Sequence, residues 1–338
     1  MKSITLGWTF AAALVSLTAF AKDPLQNPEG EKTSVVDLSA VVVTGAYPAP
    51  GLWELTRDGK TLLIMGTLTP APNRMTWTSE RVEAKIAQAD LILGSPGVVV
   101  GADVGLLRGA MLWPAYQRSK KNPNGQKLQD VLSPAVFVRW QGLKQTYLAR
   151  DNDVDRLRPL YAAKSLFDAA VRSAGMTDES LVDPVVERVA KAHAIPTRTT
   201  AVRLAIADPK ATLKKLNAIQ LGDQDCLVQT MDRLEQDLAT MVVRANAWAD
   251  GNVDQLKALP FIDQKEACKR ALVSNEIAQQ QGITNLDVRI QEQWLGAVRK
   301  ALSENDTVFA TLPIAKLLEN EGVLAALRGE GFAVKVPE

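Results

Sequence analysis

The chain has 338 residues, with 39 lysines and arginines against 38 acids, 46% apolar residues and a single histidine. Without Lys2 the charges balance at 38 to 38. No long block of one sign stands out, which argues against nucleic acid and against a polybasic membrane patch as partners.

Residues 1–21 read as a secretory signal. Met1-Lys2 is a short basic start, Ile4 to Leu17 is apolar, and Ala19-Phe20-Ala21 fits an A-x-A cleavage site. The apolar run is shorter than the roughly 20 residues a bilayer span needs, and an uncleaved anchor is the alternative reading. The expected location is periplasmic or secreted, with no membrane span after cleavage. Residues 22–50 read as a flexible polar extension, with a possible edge strand at Val35–Val43. One domain is expected over 51–338.

Trp53-Glu54-Leu55-Thr56 and Thr61-Leu62-Leu63-Ile64 flank Asp58-Gly59. Asp-Gly between two apolar runs predicts a type I′ hairpin. Ser79 to Ala89 predicts a helix, with Val82 and Ile86 on its inner face. Leu91–Leu93 predicts a short buried strand. From about 100 to 300 the pattern is helical. Ser133-Pro134, Asp183-Pro184 and Asp208-Pro209 each place a capping residue before a proline at a helix start. The longest periodic stretch, Asp223 to Ala249, predicts one amphipathic helix. Its core stripe is Leu227, Met231, Leu234, Leu238, Met241, Ala245 and Trp248, with Asp237 off the stripe. The chain then ends in a strand at Thr307–Leu312, a helix at Leu317–Arg328 and a last strand at Phe332–Val336.

Cys226 and Cys268 are an even count in a chain expected to be exported. Paired, they would close a loop of about 43 residues, worth on the order of 4 kcal/mol in the chain-entropy account. Two unpaired buried thiols are the alternative.

Three blocks carry a resemblance to a known family. They are Leu52–Thr69, Trp248-Ala-Asp-Gly251-Asn252 with Leu256, and Glu321-Gly322-Val323-Leu324 through Phe332. In order and spacing they resemble the TraB/GumN (Tiki-like) proteins, closest to the exported GumN-like branch associated with exopolysaccharide gene clusters. The resemblance implies an α/β (α+β) fold. A mixed β-sheet would form from the N- and C-terminal parts, with a large helical region between them. Active members resemble metal-dependent peptidases, with two Gly-x-x-His motifs and a glutamate after the first helix–strand unit.

Here those positions differ. Gly66 is kept, but the first histidine is Thr69, the glutamate is Gly94, and the second motif aligns as Pro313 to Lys316. A hydroxyl is a poor ligand for zinc or manganese, glycine offers none, and an ammonium repels a divalent ion. The reading therefore leans away from an enzyme. It expects no metal and no cofactor, and an accessory or binding role whose partner is an envelope polysaccharide or a protein. A divergent hydrolase with relocated ligands and a sugar-binding envelope module are the alternatives.

The remaining candidates have plainer readings beside them. His193, in Lys191-Ala-His193-Ala-Ile-Pro196, suits a helix C-terminus. Thr69 and Lys316 suggest a hydroxyl–lysine dyad, with Cα atoms within roughly 12 Å if the two motifs share a cleft. Asp103 and Arg108 read as a cleft-lining pair or a solvated one. Trp53, Trp77, Trp113 and Trp140 are candidates for sugar stacking or for core packing.

Overall fold

The structure is a computed structural model. It describes residues 50–101, 106–260, 264–273 and 285–337. The expected signal, the Val35–Val43 strand and Asp103 lie outside the described residues.

The chain opens with strand β1 (Leu52–Arg57) and strand β2 (Lys60–Thr67), paired antiparallel with Arg57 opposite Lys60. Asp58 and Gly59 take φ of 52° and 76°, the left-handed pair a type I′ turn demands. A short strand β3 (Ala71–Pro72) follows, then helix α1 (Glu80–Ile86) and strand β4 (Leu91–Leu93). Val82 and Ile86 face inward as predicted.

The middle of the chain is mainly helical, in the order β5 (Val98–Gly101), α2 (Leu106–Ser119), α3 (Leu128–Val131), α4 (Pro134–Tyr147) and α5 (Pro159–Ser173). Next come β6 (Met176–Thr177), α6 (Asp183–Ala192), β7 (Thr197–Arg198), β8 (Val202–Ala205) and α7 (Pro209–Ala218). Helices α8 (Gln224–Gln236), α9 (Leu238–Ala249), α10 (Val253–Ala258), α11 (Gln264–Val273) and α12 (Leu286–Glu304) complete the region. The chain closes with β9 (Thr307–Pro313), α13 (Ile314–Leu317), α14 (Val323–Gly329) and β10 (Ala333–Lys335). Ser133 and Asp208 precede their helices as predicted, and the Asp208 carboxylate accepts from the Ala211 amide. At α6 the cap moves back to Val182, and the Ser180 hydroxyl receives the Val182 and Asp183 amides.

The main sheet has the order β10-β1-β2-β9-β4-β7. Strands β2, β9, β4 and β7 are mutually parallel, and β1 runs antiparallel to both β2 and β10. The two ends of the chain therefore build one mixed sheet, as expected. One edge strand, β7, comes from the middle region instead. Pro196 holds the chain extended after α6, and its carbonyl accepts from the Ile92 amide. Leu62–Met65 and Val308–Leu312 are buried throughout, as parallel strands covered on both faces must be. Across the α1–α6 contact, Arg188 donates to Glu83 at 2.7 Å and holds that carboxyl below its ordinary range.

Two expectations are corrected. The stretch 223–249 is two helices, not one, broken at Asp237 (φ −115°, ψ −9°). Its stripe is buried as expected, but it serves two cores. Leu227, Met231, Leu234, Leu238 and Met241 pack with α5 in a helical core, whereas Ala245 and Trp248 belong to the sheet core. Asp237 is itself buried, its carboxylate 2.8 Å from Arg244 and 3.6 Å from Arg233. The predicted helix from Leu317 to Arg328 is also two pieces, because Gly322 sits extended in a turn between them. A Cβ there would lie 2.7 Å from the Glu319 Cβ.

Cys226 on α8 and Cys268 on α11 form a disulfide, with Cα atoms 4.3 Å apart. Helices α9 and α10 fall between them in sequence, so the bridge ties the helical core across a long excursion. Thiol counting on unfolded, unreduced protein is expected to find no reactive cysteine. Two titratable thiols per chain would refute the bridge.

Candidate functional site

Parallel strands leave a crevice beyond their carboxyl ends, where the backbone stops and the connections diverge. Strands β2, β9 and β4 end here at Thr67, Pro313 and Leu93. Thr67 is opposite Pro313, and Leu93 opposite Ala310. Thr69, Gly94 and Lys316 each follow one of these ends by at most three residues, so all three candidate positions lie at the same edge of the sheet.

Gly66 is the packing centre of that edge. A Cβ on it would lie 2.5 Å from the Ile314 Cδ1 and 3.3 Å from Leu317 and Trp53 side chains. Its carbonyl accepts a 2.7 Å bond from the Trp248 indole N–H, wholly buried. Trp248 in turn meets Trp77 edge-on at 5.8 Å. The local chain aims this ring. Gly251 (φ +69°) turns the backbone after α9, the Asn252 amide bonds back to the Ala247 carbonyl, and the Asn252 side chain caps α10 at the Gln255 amide. The separated sequence blocks thus meet at one atom group: Gly66 from the first, Trp248 from the second, and the α13 residues Ile314 and Leu317 that lead into the third.

Several hydroxyls lie at the same ends of the strands. The Ser95 and Thr311 hydroxyls bond at 2.9 Å, and Thr311 is buried among the apolar residues of Val308–Leu312. The fully buried Thr200 donates at 2.9 Å to the Gly94 carbonyl, and the Gly94 amide bonds the Arg198 carbonyl. The nearest atom to a Cβ at Gly94 would be 3.8 Å away, so a side chain has room there. Thr69 is half-buried. Lys316 is half-exposed, and its ammonium is engaged in an ion pair with Glu319 at 2.7 Å. Sequence reading missed Ser95, Thr200, Thr311 and the Trp248–Gly66 bond. Thr311 alone left a trace, a polar residue in a run of buried strand positions.

A divalent metal does not fit this donor set. Among the described residues no three of His, Cys, Asp and Glu gather in a group that could hold one. Beside Gly66 the packing is close. The space between Trp53, Trp248, Gly251 and Ile314 is about 10 Å³, too small for a ligand. Larger concavities lie beside it. One, of about 460 Å³, is lined by Gly51, Glu54, Arg81, Lys85 and Lys335. Another, of about 350 Å³, is lined by Asp250, Asp254 and Lys257.

The other candidates fall in varied surroundings. His193 ends α6 as expected and is exposed. Trp53 and Trp140 are buried, and the Trp140 indole donates to Asp155 at 3.0 Å. Trp77 is half-buried against Trp248, which leaves Trp113, 57% exposed. No described helix is long and apolar enough to cross a membrane.

No curated protein and no solved structure matches the chain. The model of the TraB/PrgY/gumN family does, over residues 51–336. That span takes in all three sequence blocks and every strand of the main sheet, so the chain belongs to the TraB/PrgY/gumN family.

Proposed function

We propose that this protein is an exported, non-catalytic member of its family that works by binding, as an accessory factor of the cell envelope. The observation that carries the reading is the composition of the carboxyl edge. Where a metallohydrolase needs imidazole and carboxylate, this chain has Thr69, Gly94 and a Lys316 already paired with Glu319. Hydroxyls and an ammonium neither hold a divalent ion nor lower the pKa of a water bound to one. Around Gly66 itself, Trp248, Ile314 and Leu317 pack closely. Binding would then use the open concavities beside it, toward an envelope polysaccharide or a protein partner.

Protein purified without chelator is expected to carry well below one manganese, cobalt or zinc per chain by mass spectrometry. One equivalent, lost on substitution of Thr69 or its neighbours, would replace this reading with that of a divergent hydrolase.

A further inference from the structure

The even charge total hides a local imbalance. Between Asp103 and Asp130 the chain carries Arg108, Arg118, Lys120, Lys121 and Lys127 and no acid. Between Asp208 and Asp223 it carries Lys210, Lys214 and Lys215 and again no acid. These segments contain α2 and α7, which pack on each other; the Asn217 side chain donates to the Ala115 carbonyl at 3.2 Å. The buried Arg158 fixes the ends of both helices, donating to the Ser119, Ile219 and Leu216 carbonyls. Two adjoining helices therefore present only positive side-chain charge.

Helix α2 also wears its apolar stripe on the wrong side. Leu112, Ala115 and Ser119 turn toward the protein. Leu107, Ala110, Met111 and Pro114, at i, i+3, i+4 and i+7, all face solvent, with Leu107 82% and Met111 76% exposed. Trp113 and Tyr116 flank the stripe, 57% and 39% exposed. An outward apolar stripe with aromatic residues and a basic surround is the pattern of a helix lying in a membrane interface. Lysine and arginine heads reach phosphates while their stems cover hydrocarbon.

We propose that α2 is a membrane-docking helix that seats this protein on an anionic lipid surface, with α7 supplying further positive charge. Other occupants fit less well. A sugar ring would need an open aromatic face, yet the Lys120 ammonium sits 4.5 Å over the Tyr116 ring and 6.0 Å from that of Trp113. A second copy would bring two basic, acid-free helices together, which like-charge repulsion opposes.

The test uses the full chain with Met111→Cys. Both native cysteines are bonded to each other, so a polarity-sensitive fluorophore attaches at α2 alone, whatever the N-terminus does. Vesicles containing phosphatidylglycerol are expected to shift its emission to the blue, and vesicles of phosphatidylcholine alone are not. Arg118→Glu with Lys120→Glu and Lys121→Glu is expected to weaken the response at least about tenfold, and so is added salt. These side chains are exposed or half-exposed, so circular dichroism and the unfolding midpoint should stay as in the parent. An unchanged emission with anionic vesicles would overturn the proposal. So would an equal shift with neutral vesicles, a shift from an anionic polysaccharide alone, or one that follows protein concentration without lipid.

Discussion

Trp248→Ala is expected to lower the stability of the folded chain by about 3–5 kcal/mol, the cost of deleting a large core aromatic. Trp248 is 2% exposed and bonds Gly66 across 182 residues of sequence. Its loss also leaves the Gly66 carbonyl buried without a donor, a further penalty of about 1–3 kcal/mol. Trp248→Phe separates the two contributions, because it keeps most of the ring and removes only the N–H. Urea midpoints for the two variants, at constant m-value, decide the matter. If Trp248→Phe unfolds with the parent, the indole bond is not what holds the second block to the first.

Asp237→Ala should be comparably severe, at about 3–5 kcal/mol, because it removes one partner from buried ion pairs. Arg233 and Arg244 are 1% and 4% exposed, and the Asp237 carboxylate lies between them. Arg233 also stacks over Phe167, 5.3 Å from the ring centroid, and Arg244 donates to the Pro260 carbonyl. Two buried guanidinium groups would then lose the carboxylate they share. Asp237→Leu with Arg233→Met and Arg244→Met should recover much of the loss, since an apolar replacement of a buried ionic group is often tolerated. A single variant as stable as the parent would mean that Asp237 only marks the break between α8 and α9.

The elements most legible in the sequence were those set by local chemistry. Asp58-Gly59 announced its hairpin because few other pairs accept positive φ at both positions. Leu91–Leu93 announced a buried strand by an unbroken apolar run, and Thr307–Leu312 by a mainly apolar one. The break at Asp237 was illegible because the stripe of threes and fours runs straight through it. Only its pairing with Arg233 and Arg244, one on each side of the break, shows that it turns inward. The ligand-poor edge was readable at Thr69 and Gly94, since absent histidines need no geometry. The close packing around Gly66 was not readable. Gly66 looked like half of a motif, and its role as the surface on which Ile314, Leu317 and Trp53 pack depends on strands hundreds of residues apart. The exposed face of α2 was missed for a different reason: charge was totalled over the chain, and a sum over one helix would have shown it.

The position of β9 has a consequence for how the molecule is made. It lies between β2 and β4 in the sheet, yet its residues, Thr307–Pro313, come near the end of the chain. Until they emerge from the ribosome, β2 and β4 have no partner on their facing edges and the sheet core cannot assemble. Open apolar strand edges are templates for aggregation, and pairings this distant in sequence form slowly. A product that stops short of residue 307 should therefore accumulate as insoluble or degraded material, even with its helical core and disulfide intact. Holding the unfinished chain apart from its neighbours then falls to chaperones rather than to the sequence.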